Sequence, residues 1–119
     1  IGHGAVLHGC RVGRKAMVGM NAVVMDGGVV GEESIVAAMS FVKAGMVIPP
    51  RSMVMGTPAK VMRALTDDDV KWKSFGTSQY HQLTTRSLNT MREVEAFTEI
   101  EPNRPVFDFS GTGGHAPKK

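Results

Sequence analysis

The sequence predicts an all-β solenoid, a prism of short strands, followed by C-terminal helices that pack on it. Three observations predict this. Aliphatic residues recur every six positions through the first half of the chain. Small residues and glycines keep fixed offsets from them. The pattern stops at Thr57-Pro58, and helix-start signals with wider apolar spacing replace it.

The repeat is carried by Ile1, Leu7, Val12, Val18, Val24, Val30, Val36, Val42, Ile48 and Val54. Every step is six residues except Leu7 to Val12, which is five. Small residues stand four positions after many of these, at Ala5, Ala16, Ala22, Gly28, Ser34, Ser40 and Ser52. Glycine or alanine often follows directly, as at Gly2, Gly13, Gly19, Gly31 and Ala37. A six-residue period fits neither a 3.6-residue helix nor an isolated hairpin. It fits a strand and a tight turn repeated around a triangle, the left-handed parallel β-helix of hexapeptide repeats. The aliphatic side chain points into the prism, the small residue fits inside the bend, and glycine is expected to supply positive φ at the corners. Residues 1–59 then make about three coils. The chain opens inside a repeat and without methionine, so further coils upstream are expected.

Beyond the coils, residues 60–101 read as a helical segment. Thr57 as N-cap and Pro58 as first helical residue predict a short helix through about Leu65. Thr66, followed by Asp67, Asp68 and Asp69, predicts the start of a second helix with acids in its first turn. Gly76-Thr77 predicts a break or kink. Tyr80, Leu83, Leu88, Met91 and Val94 follow at roughly helical spacing and would pack one face on a prism or a neighbouring subunit. Residues 102–119, rich in Pro, Gly and Lys, read as a mobile tail.

Composition narrows the function. The chain has 119 residues and a formal net charge of +3. Residues 1–60 hold six Lys and Arg against three acids, and residues 61–119 hold eight of each. No run of five basic residues occurs and no aromatic–basic interleaving offers stacked bases, which argues against nucleic acid as a partner. The slightly basic first half suits a small anionic ligand or the phosphates of an acyl-CoA, or simply solvation. No apolar run reaches the roughly 18 residues of a membrane-spanning helix, and no membrane partner is expected. Cys10 has no partner within the chain for a disulfide, which fits a cytoplasmic location.

The chemistry-bearing residues cluster at the opening, Ile1-Gly2-His3-Gly4-Ala5-Val6-Leu7-His8-Gly9-Cys10. His3 and His8 straddle the one irregular step, and their near-hexad spacing places them on successive faces of the prism, about a third of a turn apart, where they cannot easily grip one ion from the same chain. In a threefold assembly each cleft would receive His3 from one chain and His8 from its neighbour, two of the three protein ligands of a catalytic zinc. Two turn histidines that hold no metal would have the same spacing. Cys10 reads as a small packing residue. His81 reads as a surface residue, and His115 lies in the tail. Glu32-Glu33 reads as a solvated corner, and Asn21 as a corner residue that tolerates unusual φ.

IGHGAVLHGC, VGMNAVVMDG, GEESIVAAMSFVKAG and MGTPAK together resemble the gamma-class carbonic anhydrase-like hexapeptide proteins, in the branch of phenylacetic acid degradation and carnitine operon proteins. The resemblance runs from residue 1 to about 105. It implies a homotrimer with zinc, or another divalent ion such as iron or cobalt, at subunit interfaces. His3 and His8 match the family's histidine pair and would ligate different ions, the third histidine lying in an upstream coil. Tyr80, with Gln82 two positions later, resembles the stretch that lends a tyrosine and a polar residue to the pocket. A hydroxide generated on the metal would attack carbon dioxide, or the thioester carbonyl of an acyl-CoA. A metal-free hexapeptide acyltransferase and a non-catalytic accessory protein of phenylacetate or carnitine metabolism are the alternatives.

Overall fold

The computed structural model describes residues 1–100 and 102–103. Eight two-residue strands wind in sequence: β1 (Val6–Leu7), β2 (Arg11–Val12), β3 (Met17–Val18), β4 (Val23–Val24), β5 (Val29–Val30), β6 (Ile35–Val36), β7 (Phe41–Val42) and β8 (Val47–Ile48). They are followed by β9 (Ser52–Gly56), β10 (Ala59–Ala64) and one helix, α1 (Asp67–Thr90). Each strand pairs in parallel with the third strand along, giving three faces: β1–β4–β7, β2–β5–β8 and β3–β6–β9. This is the left-handed β-helix that the six-residue period predicts.

Within each pair of strand residues the first points outward and the second inward, as strand pleating requires. The inward set is the phased set. Val18, Val24, Val30, Val36, Val42, Ile48 and Val54 are all buried, and register stacks Val18 on Val36 and Val36 on Val54. Ile1 and Leu7, in the first coil, hold the same phase but are exposed. The bends need small residues for more than space. Ser34 is fully buried, donates its hydroxyl to the Pro49 carbonyl at 2.7 Å and accepts from the Ser52 N–H at 3.0 Å, so it ties one coil to the next.

Glycine supplies positive φ at several corners, as expected, at Gly4, Gly9, Gly27, Gly45 and Gly56. The glycines that directly follow the aliphatics do not supply the positive φ. Gly31 shows their role: a Cβ there would lie 2.5 Å from the Ile48 carbonyl oxygen, so its function is close approach between coils. Positive φ is found one or two residues later, in three columns. Gly4, Asn21, Met39 and Gly56 form the first, Gly9, Gly27 and Gly45 the second, and Lys15, Glu33 and Arg51 the third.

At the third corner Glu32 is exposed, as expected, but Glu33 belongs to a charge ladder. Glu33, largely covered, meets Lys15 at 3.6 Å and Arg51 at 3.4 Å, and Arg51 also bonds Asp67 at the start of α1.

The short helix expected over Thr57–Leu65 is instead a strand. Thr57-Pro58, a cis peptide, forms the turn of a hairpin, and β10 folds back antiparallel on β9. The reason is pairing. Without β10, β9 would be the edge of its sheet, and pairing with the backbone groups it would leave open outweighs the helical preference of residues 59–64. Thr57 anchors the turn by donating its hydroxyl to the Met39 carbonyl at 3.1 Å.

The second helix starts where the sequence predicts. The Asp69 N–H donates to Thr66 Oγ1 at 3.2 Å, and the Thr66 N–H donates to Asp69 Oδ2 at 2.8 Å, a reciprocal capping box. Arg63 adds a two-point contact to Asp69, at 2.6 and 3.0 Å. The helix then runs through Gly76-Thr77 without the expected break. Its Lys73 is buried and donates to the Lys15 carbonyl, and burial holds the ammonium below its ordinary pKa. From Arg51 to Lys15 is two coils, about 10 Å, and from Asp67 to Lys73 the helix rises about 9 Å. By Lys73, α1 has therefore climbed from the third coil to the first. No later residue of α1 is buried, which is why Phe75, Tyr80, Leu83 and Leu88 are exposed and do not pack on this prism.

Residues from Thr90 onward form a separate unit. Beyond Thr90, which closes α1, its described residues contain no helix or strand, only a bend at residues 98–99 and a turn at 102–103. Met91 and Val94 lie there, exposed and outside any helix. The tail expected over 102–119 falls almost wholly outside the described residues, as does His115. No helix among the described residues is long and apolar enough to cross a membrane.

Candidate functional site

The irregular five-residue step has a definite structural result. Leu7 pairs with Val24 and Arg11 with Val29, so three residues, His8-Gly9-Cys10, turn the second corner above four, Met25 to Gly28. Backbone bonds clamp this short corner. The His8 N–H donates to the Val24 carbonyl at 2.9 Å, Gly27 donates to Gly9 at 2.8 Å, and Arg11 donates to Gly28 at 2.8 Å. Beneath it, Asp26 turns its carboxylate up to the imidazole, and His8 Nδ1 donates to Asp26 Oδ2 at 2.8 Å. A carboxylate only accepts, so the proton of that bond sits on Nδ1 and the Nε2 lone pair faces away from Asp26 in the neutral ring. Both side chains are more than half exposed, at 68% and 58%.

His3 occupies the first corner. Its carbonyl accepts from the Asn21 N–H at 2.9 Å, and its exposed ring has no partner among the described residues. His3 and His8 thus stand at the two corners of one face, with β1–β4–β7 between them. The outward column of that face is Val6, Val23 and Phe41, with exposed Met20 and Met39 along the first corner. Among the described residues of one chain, no group of three or more His, Cys, Asp or Glu is placed to hold a metal.

Tyr80 and Gln82 sit elsewhere. Both are exposed on α1, whose start and Lys73 are fixed to the third corner, the vertex opposite the histidine-flanked face. The Tyr80 hydroxyl has no partner among the described residues, and nothing joins either residue to the histidines of the same chain. His81 is exposed, as expected. Cys10, a free thiol, is half-buried against the core.

Asp26 is the site residue that sequence reasoning missed. A coil is eighteen residues, less one for the short step, so the residue beneath His8 is Met25, and the next one is Asp26. The signal was present but needed the step to be converted into a stacking register.

No family model matches the chain. In sequence it is 50% identical over 119 residues to the carnitine operon protein CaiE of Escherichia coli K12, a match that covers 100% of this chain and 60% of that protein. Among the solved structures that share its fold are the following two. A hexapeptide transferase family protein from Anaplasma phagocytophilum is 34% identical, with TM-score 0.69, over 72% of this chain and 52% of that one. An acetyltransferase from Bacillus cereus is 36% identical, with TM-score 0.67, over 71% and 50%. The chain therefore spans about 60% of the length of the curated relative it matches.

Proposed function

We propose, for a chain that belongs to the hexapeptide-repeat proteins and is half identical to CaiE, that it forms one wall of a divalent-metal site completed by other copies of itself and serving carnitine metabolism. The observation that carries this reading is the His8–Asp26 pair at 2.8 Å. Histidines that ligate metals almost always give their second ring N–H to a carboxylate, a carbonyl or water, and His8 is held in that manner with Nε2 left over.

The donor set fits a shared ion and does not fit a private one. Two imidazoles on separate corners supply one ligand each to two ions, and an apolar face between them supplies surface for self-association. A homotrimer would set His3 of one protomer opposite His8 of the next. Zinc suits imidazole donors, with iron or cobalt as alternatives. Such an ion, when bound, would lower the pKa of its water to about 7 and so supply hydroxide for attack on an electrophilic carbon. His3 and His8 would hold the ion, and Asp26 would keep His8 oriented. Tyr80 and Gln82 would hydrogen-bond the substrate only if they come from a neighbouring subunit, because α1 of the same chain rises along the opposite corner. Carbon dioxide hydration and acyl-CoA thioester hydrolysis are the two reactions this chemistry suits.

The test is metal content per subunit of the full-length protein, with both reactions assayed before and after chelation. Loss of metal and of turnover in His3→Ala and His8→Ala is expected. Equal metal in the double variant overturns the ligand roles. The transferase names of the structural relatives favour a second reading, in which Asp26-oriented His8 acts as general base for acyl transfer. Acyl transfer that survives chelation would select it. A catalytically silent accessory role would leave both reactions absent in intact, metal-loaded protein.

A further inference from the structure

We infer that Asp26 is a positioning residue that locks His8 in the Nδ1–H tautomer and aims Nε2 outward, and that the glycine at position 9 is there to let it do so. The inference deepens the reading of His8 as a ligand or base and rests on that reading for its functional meaning.

Two observations beyond the 2.8 Å bond support it. The first is a comparison of Gly9 with Gly27, one coil below. Both have positive φ, 55° and 65°. At Gly27 an added Cβ would find only the Gly45 backbone at 3.8 Å, so φ alone explains the glycine. At Gly9 the Cβ would lie 2.4 Å from Asp26 Oδ1, so there the missing side chain is also the space that the carboxylate occupies. The second is that Asp26 has no other work among the described residues. Its side chain makes no second hydrogen bond and no salt bridge to a Lys or Arg, unlike Glu33, which joins Lys15 and Arg51 across three coils. An exposed acid that bonds only one histidine, with room cleared for it by a glycine in the coil above, acts on that histidine.

The same arrangement recurs in outline at the other histidine. Gly4 follows His3, and a Cβ on it would fall 2.1 Å from Asn21 Oδ1. Both His–Gly pairs thus sit over the oxygen of an Asx side chain, although only Asp26 reaches the ring itself.

The experiment is imidazole 15N spectroscopy on full-length, metal-free protein at about pH 8.5, where imidazole side chains are neutral, beside titration with zinc alone. Wild type should show His8 as the Nδ1–H tautomer. Asp26→Ala and Asp26→Asn should move it toward Nε2–H, with the His3 resonances unchanged as an internal control. Zinc affinity should fall about 10- to 100-fold in Asp26→Ala, and Asp26→Glu should restore part of both signals. An unchanged His8 tautomer in Asp26→Ala overturns the inference, whatever happens to zinc. A zinc loss without a tautomer change would make Asp26 a ligand and overturns it too. A tautomer shift with zinc binding indifferent to His8→Ala upholds the positioning role and removes the metal reading instead.

Discussion

The inward and outward alternation of the coils makes a quantitative prediction from two valine positions. Val36 is fully buried in the second coil, between Val18 above and Val54 below. Val47 belongs to the same repeat but points outward and is 69% exposed. Val36→Ala removes two buried carbons, worth about 1.6 kcal/mol of transfer free energy. The cavity between stacked valines adds about 1 kcal/mol, because rungs held by backbone hydrogen bonds on both sides cannot collapse onto it. The expected loss is about 2.5 kcal/mol. Val47→Ala should change stability by less than about 0.5 kcal/mol. Urea unfolding of the two variants beside wild type, fitted for midpoint and slope, measures both. Equal losses would refute the assignment of interior and exterior positions, and with it the coil register that places Asp26 under His8. A changed slope in Val36→Ala alone would mean that cooperativity between coils has been broken, a known behaviour of solenoids.

Two further outcomes follow from α1. Gly76→Ala should stabilise the helix by about 0.5–1 kcal/mol, because the helix is continuous there and an added Cβ meets no atom within 4 Å; a lower melting temperature would show that the helix does break at that glycine. The Arg63 guanidinium and the Thr66 N–H and hydroxyl hold the Asp69 carboxyl well below the usual carboxylate range. A depressed folded-state pKa contributes stability that is present above the unfolded value, about 3.9, and is lost as pH falls toward the folded one. Helical circular dichroism should therefore decline below about pH 4, and Asp69→Asn should flatten that decline; identical profiles would remove Asp69 from the account of the cap.

The separation of the two histidines was legible in the sequence. The near-hexad spacing put His3 and His8 on successive faces, and the structure sets them instead at the two corners that flank one face. What could not be read was the occupant of the space beneath His8, since His8 and Asp26 are joined only when one coil is laid on the next. Tyr80 and Gln82 show the opposite case. Their motif was legible, but their distance from the histidines follows from Lys73 reaching the Lys15 carbonyl, a contact between residues 58 apart.

The sequence by itself determined the prism, its buried valines and the start of α1 at Thr66. These depend on local chemistry that repeats: an aliphatic that must leave water, a small residue that must fit a bend, and a hydroxyl that must cap a helix. Tertiary structure decided everything in which one segment completes another. Residues 59–64 became a strand because β9 offered an open edge. Glu33 became the centre of a ladder because Lys15 and Arg51 stack one coil above and below it. Asp26 became the partner of His8 for the same reason. A six-residue period states what each rung needs from itself, whereas only the stacked coil supplies what a rung receives from its neighbour.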